Sequence, residues 1–213
     1  MSMRMNVSCK CAVCGAETRQ IVLASTNTFG PPDLDLRPAP MQRSTMDTWV
    51  QECPNCGYVS TDLKAPAQVD RDFLETWEYI MCAGISFSAD LAVRFYRYYL
   101  LNREKSDARR AFHGALYAAW VCDDCGDAEQ AVRCRQLALA EIGKLLEHEG
   151  ADRETLLVQK ADLLRRAGLF EQLLTEYADV AFQQKNLNQI IAFQLEKAAQ
   201  KDAACYTLAD VKA

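Results

Sequence analysis

The chain has 213 residues, half of them hydrophobic and a quarter charged, with ten cysteines, two histidines and a formal net charge of −5. That composition is ordinary for a soluble globular protein of one large domain or two small ones. It contains no apolar run long enough to span a membrane, its first residues MSMRMNVSCKCAV lack the apolar core of a signal peptide, and its negative charge does not favour nucleic acid. A cytoplasmic address is expected, and there ten cysteines point to metal ligands and buried thiols rather than to a disulfide framework.

The first element is a cysteine knuckle, CAVCG at residues 11–15, followed by ETRQIVL, which reads as a strand. A second knuckle, CPNCGY at residues 53–58, is followed by the strand-like YVSTDL. In each, the first cysteine opens a tight turn and the second closes it. The next residue, Gly15 or Gly57, tolerates positive φ, so that backbone N–H groups can point at sulfur. Paired CxxCG knuckles predict a zinc ribbon in which Cys11, Cys14, Cys53 and Cys56 hold one structural Zn²⁺. A module of 65 residues buries too little apolar surface to be comfortably stable alone, and a metal supplies what the core lacks. Reduced thiols without metal and a redox pair are the other readings. Neither CxxC stands at the start of a helix, as a thioredoxin-type site requires. Cys9 offers a competing Cys9-x-Cys11 pair, but only Cys11 and Cys14 match the spacing and trailing glycine of the second knuckle.

Catalytic zinc usually recruits histidine or carboxylate, and both histidines, His113 and His148, lie in the second half of the chain. The nucleobase-deaminase pattern is missing too: the order is Cys-Pro rather than Pro-Cys, and no H-x-E precedes it. Between the knuckles lie 38 residues, including NTFGPPDLDLRPAPMQRST. Asp33, Asp35, Arg37 and Arg43 there form either a recognition surface or a solvated loop over the ribbon, the second being the simpler expectation.

Composition changes at Pro66. All six prolines lie at or before it, and Ala, Leu, Glu, Gln and Arg dominate after it. Residues 1–65 carry equal numbers of acidic and basic side chains, so residues 66–213 carry the whole negative balance. The expected organisation is therefore a zinc-ribbon-like module, 1–65, and a helical module, 66–213, that folds without it. The fold class is α+β, mostly α. Gly84, Gly126 and Gly168 recur every 42 residues, each between amphipathic runs. Equal spacing of turn glycines predicts stacked helix pairs, a tetratricopeptide-like α-solenoid of about three pairs. GDAEQA, residues 126–131, looks like the tetratricopeptide turn, although the period exceeds that of tetratricopeptide repeats. LNQIIAFQLEKAAQKD is expected to cap the stack.

Three phrases in this half have both a functional and a plain reading. CDDCG at 122–126, with Cys134 beyond, mimics a third knuckle, but its positions fit packing cysteines at a helix end. RFYRYYLLNREKSDARR mixes Arg with aromatics as nucleic-acid surfaces do; core aromatics flanked by solvated Arg explain it more simply. Trp77, Glu78 and Tyr79 read as helix-packing bulk.

Taken together, CAVCG, LDLRPAP, TWVQECPNCGYVSTDL and LLRRAGLFEQ are similar to phrases of the uncharacterised bacterial domain-of-unknown-function family 2225, over most of the chain. The resemblance implies a two-knuckle segment before a tetratricopeptide-like helical region, and metal ligation at Cys11, Cys14, Cys53 and Cys56. It implies no reaction.

The expected function is a non-enzymatic zinc-binding protein whose helices offer a surface to a protein or peptide partner. An enzyme or enzyme subunit, with a site at the ribbon–helix interface built from the Asp/Arg loop and a thiol such as Cys9, is the alternative. A third reading, a nucleic-acid-binding ribbon, requires a basic stripe near Arg19, Arg37 and Arg43.

Overall fold

A computed structural model describes residues 2–67, 69–147 and 152–211; His148 lies outside the described residues. Strand β1 (Met3–Lys10) pairs antiparallel with β2 (Glu17–Ser25), and the turn joining them is the first knuckle. A shorter hairpin joins β3 (Gln51–Glu52) to β4 (Val59–Ser60) around the second. The strand expected after the first knuckle is complete, whereas the one after the second stops at Ser60. TWVQE contributes only its last two residues to β3. Trp49 instead turns aside to pack edge-on against Tyr117 and Trp120, which bends the chain away from extended geometry.

The inter-knuckle segment carries one short helix, α1 (Pro40–Arg43), with Pro40 in its first turn, where the missing N–H is no loss. Two single-turn helices follow, α2 (Arg71–Leu74) and α3 (Trp77–Ile80), each N-capped by a side chain, Asp70 and Thr76. The longer helices are α4 (Asp90–Glu104), α5 (Ala108–Asp124), α6 (Ala128–Leu146), α7 (Arg153–Arg166), α8 (Phe170–Glu176) and α9 (Lys185–Ala199). Consecutive helices α4 to α7 pack on one another, and α9 closes the far side against α7 and α8.

Two of the three periodic glycines make the expected turns. Gly126 and Gly168 sit at φ +72° and +74°. Each is followed by the six-residue backbone bond of a Schellman cap, Asp127 N–H to Cys122 O (2.8 Å) and Leu169 N–H to Leu164 O (2.9 Å). The Asp127 side chain then caps α6, and Ala131 is buried where α5 and α6 meet. Gly84 differs. It also has positive φ, but it follows a single-turn helix and a 3-10 turn rather than a long helix. The first long pair is α4–α5, which reverses at Ser106, φ +59°. A serine in the left-handed region carries no glycine signal, so the sequence period places the first turn one helix too early.

The apolar core is continuous across residue 66. One cluster runs from Cys9, Cys53, Tyr58 and Leu63 through Leu74 and Tyr79 to Phe95, Phe112, Trp120 and Ile142. A second joins α7, α8 and α9 and includes Leu34, from the segment between the knuckles. The middle of that segment is not a solvated surface: Asp33, Asp35 and Arg37 are all buried, while residues 27–31 before it are exposed. The chain's last described residues hold it in place, through a bridge between Asp33 and Thr207 and backbone bonds Leu34 N–H to Tyr206 O and Leu208 N–H to Pro32 O. No helix of the described residues is long and apolar enough to cross a membrane.

Helices α4 and α5 approach most closely at Gly114. A Cβ built there would lie 2.7 Å from the Tyr99 backbone nitrogen, closer than side chains come to backbone. Gly114→Ala forces the helices apart, and the overpacking should destabilise the protein by ~1–3 kcal/mol in spite of alanine's better helix propensity. Urea unfolding reads this; an unchanged or raised midpoint would mean that the crossing yields at little cost.

Candidate metal centre

The two knuckles repeat one backbone device. Cys11 N–H donates to Ala16 O and Gly15 N–H to Cys11 O; Cys53 N–H donates to Tyr58 O and Gly57 N–H to Cys53 O, all at 2.8–2.9 Å. Gly15 and Gly57 sit at φ +73° and +71°, as the sequence requires. Each loop therefore presents both its sulfurs on one side. The loops face each other and are tied by Ala12 N–H to Leu63 O and by the Gln20 side-chain amide to Glu52 O. From the helical side, the Tyr79 hydroxyl donates to Gly57 O at 2.5 Å, anchoring the second knuckle to α3.

The result is a cluster of four thiols, Cys11, Cys14, Cys53 and Cys56, whose sulfurs all lie within 4.8 Å of one another. Cross-knuckle distances are 3.8 Å between Cys11 and Cys56 and 3.6 Å between Cys14 and Cys53. A tetrahedral metal with M–S bonds of ~2.3 Å has S···S edges of about 3.8 Å, so this spacing fits one such ion. Four protein sulfurs would fill the coordination of such an ion, the donor set of closed tetrahedral sites.

The thiols differ in acidity. The Ala16 backbone amide and the Asn55 side chain lower Cys14 to about 6, while burial raises Cys53 and Cys56. Cys9, the competitor for the upstream knuckle, stands outside the cluster: it lies buried in β1, its sulfur 3.3 Å from the Thr18 hydroxyl.

A second organised region surrounds Asp35, which is wholly buried. Its carboxylate accepts from the Trp120 indole N–H at 2.6 Å and the Arg37 backbone N–H at 3.1 Å, with Arg166 at 3.5 Å; its carbonyl accepts from Gln159. Arg166 also donates to Asp123 at 2.8 Å; Arg135 pairs with Asp123, and Arg37 with Asp124. The phrase LDLR is thus locked to CDDC and to LLRR. The CDDC cysteines serve packing or stand free: Cys122 and Cys134 are buried in the helical core and Cys125 is exposed at the end of α5. The motif's two aspartates organise the interior. Sequence reading missed them because cysteine spacing drew attention to the wrong atoms. Leu36, between Asp35 and Arg37, takes φ +67°, unfavourable for leucine, and is held there by bonds from Leu36 N–H to Asp33 O and Asp33 N–H to Arg37 O.

Of the arginines read for a nucleic-acid surface, Arg19 is exposed, and most of the others are engaged with carboxylates. Arg37 is buried with Asp124 and Arg43 pairs with Asp33, while Arg94 and Arg97 pair with Glu52 and Arg103 with Glu78. Tyr79 packs inside as expected, but Trp77 is 65% exposed and is not packing bulk. Comparison with protein-family models, curated proteins and solved structures returned no match to this chain.

Burial and the nearby Asp162 charge outweigh Arg166 and the Trp120 N–H, raising Asp35 to about 6. The unfolded chain titrates near ~3.9, so across the interval up to about 6 the folded state binds the extra proton. The stability that Asp35 contributes therefore falls as pH rises through this window and is level above it. Measured by urea unfolding across pH, the difference between wild type and Asp35→Asn should move against the wild type over that interval; metal loss at low pH affects both alike. A difference moving the other way would show that Arg166 dominates.

Proposed function

We propose that this chain is a zinc-binding protein in which Zn²⁺ at Cys11, Cys14, Cys53 and Cys56 is structural and the helices serve as a scaffold for a protein or peptide partner. The observation that carries the reading is that the four sulfurs lie within 4.8 Å of one another, with the Cys11–Cys56 and Cys14–Cys53 pairs at 3.8 and 3.6 Å, close to the edge of a tetrathiolate tetrahedron. Two CxxCG loops with glycines in the left-handed region are the zinc-ribbon device, and zinc is the usual occupant of such a site, iron being the competitor. Consecutive packing of α4 to α7, with matched caps at Gly126 and Gly168, supports reading the helices as a tetratricopeptide-like α-solenoid. Membership of domain-of-unknown-function family 2225 and a cytoplasmic address belong to the same proposal. Both rest on the sequence phrases and on the choice of free thiols over disulfides.

Purified protein should carry one zinc per chain by elemental analysis. Cys53→Ser or Cys56→Ser should abolish it, while Cys9→Ser and Cys125→Ser leave it unchanged. Stoichiometric iron, or retention of zinc in Cys53→Ser, would overturn the assignment. Metal binding of this kind contributes on the order of 10 kcal/mol to folding, so the serine variants should also lose the ribbon's NMR signals. For the scaffold, affinity capture from native cytoplasm with intact protein and with Cys53→Ser should return the same partner only with the intact chain. Recovery of no protein by either would remove the partner reading.

One observation favours the second reading, a small-molecule site at the ribbon–helix interface. A cavity of about 240 Å³ is lined by Asp35, His113, Trp120 and Gln159, and holds two titratable groups displaced from their ordinary ranges. Against it, Asp35 is wholly buried and its carboxylate already accepts from Trp120, Arg37 and Arg166.

A further inference from the structure

We propose that a polar cavity beside the second knuckle binds a phosphate group, taken either as the free oxyanion or as the monoester of a small molecule. The cavity, about 210 Å³, opens between β4 and the junction of α4 with α5. It goes beyond the scaffold reading, which assigns these residues nothing.

Its wall is mostly polar, with Val59, Ala65 and Pro66 completing it. The ribbon contributes Tyr58, Ser60 and Thr61, and the helices contribute Tyr98, Asn102, Lys105 and Arg110. No carboxylate lines it, although acidic residues outnumber basic ones in the chain as a whole. Tyr58 and Tyr98 are almost fully buried, with the Ser60 hydroxyl beside the first phenol and the Thr61 hydroxyl beside the second. Their polar ends are therefore held in place by the core behind them. Asn102 is buried as well, its side-chain N–H fixed on Tyr98 O at 2.7 Å.

The two cations are under-compensated. Asp107 stands nearest, but one of its oxygens caps α5 by accepting from Arg110 N–H and the other lies 3.4 Å from the Arg110 guanidinium. The Lys105 ammonium forms no hydrogen bond or ion pair among the described residues. Burial and the neighbouring Arg110 charge lower its pKa. An anion between Lys105 and Arg110 removes both penalties. A tetrahedral dianion suits the arrangement: a guanidinium and an ammonium with the Tyr58, Thr61 and Tyr98 hydroxyls, while the Ser60 hydroxyl is committed to Asp62 O at 3.0 Å. The volume falls below the roughly 300–1,000 Å³ of sites that enclose drug-sized ligands, so the phosphate enters and any ester substituent stays at the mouth.

The test uses the full-length, metal-loaded protein, titrated with inorganic phosphate and separately with phenyl phosphate, followed by calorimetry and ³¹P line broadening. Saturable binding of one ligand per chain is expected. Lys105→Met and Arg110→Gln should each weaken it roughly tenfold or more. Added salt should weaken it further. Arg110 is exposed and Lys105 half-buried at the cavity wall, so helical circular dichroism and metal content should stay near wild-type levels, and measuring them separates a failed site from a failed ribbon. Tighter binding of phenyl phosphate would identify a small-molecule ester as the ligand, and equal binding the free oxyanion. Absence of saturable binding by either probe, or binding that survives both substitutions, would overturn the proposal and leave an adventitious ion only.

Discussion

A carboxylate removed from water must be met by donors, and Asp35 is removed from it completely. That requirement fixes the molecule's interior. Trp120 from α5, Arg166 and Gln159 from α7 and the backbone of Arg37 all converge on one residue of the inter-knuckle segment. Arg166 then reaches Asp123, and Asp123 reaches Arg135 on α6, so three helices are tied through a loop that belongs to neither hairpin. Breaking one partner of such a network leaves an uncompensated buried charge, which destabilises more than the pair itself stabilises. The segment is for this reason a structural insert.

The same insert changes how the ribbon relates to the helices. The knuckles carry their own turn chemistry, and their sulfurs are placed by local backbone bonds. Their surroundings are not local. Tyr79 holds the second knuckle from α3, Trp49 packs on α5, and the buried face of the first hairpin joins the helical core through Cys9. A metal in the tetrathiol cluster would stiffen one end of a continuous interior, with the Asp35 network holding its middle.

The cluster was legible because everything it needs lies within short stretches: two cysteines three apart, a glycine for positive φ, and a second copy of the same phrase. Helix ends were legible at Gly126 and Gly168 for the same reason. The α4–α5 reversal was not, because Ser106 adopts a glycine-like conformation under tertiary constraint. Asp35, Asp123 and Arg166 were each visible as charged residues, but nothing local says that residues so far apart in sequence meet in the dark. Polar composition between the knuckles suggested solvent, and only the pairing of each charge with a distant one explains its burial. Gly114 gave no clear signal either: the need for a missing side chain arises from the backbone of another helix.

The bridge between residues 32–34 and 206–208 sets an order of assembly during synthesis. Both knuckles leave the ribosome early, and the tetrathiol site can close while most of the helices are still being made. The stretch around Asp35 must then wait, because its backbone partners Tyr206 and Leu208 follow all the long helices in chain order. Until they arrive, the Leu34 N–H and the Pro32 carbonyl lack their backbone partners. A chain being synthesised therefore passes through a state with its hairpins formed and its interior unlocked, and consolidation waits until residues 206–208 have emerged. Such non-local closure is slow and leaves apolar surface open meanwhile.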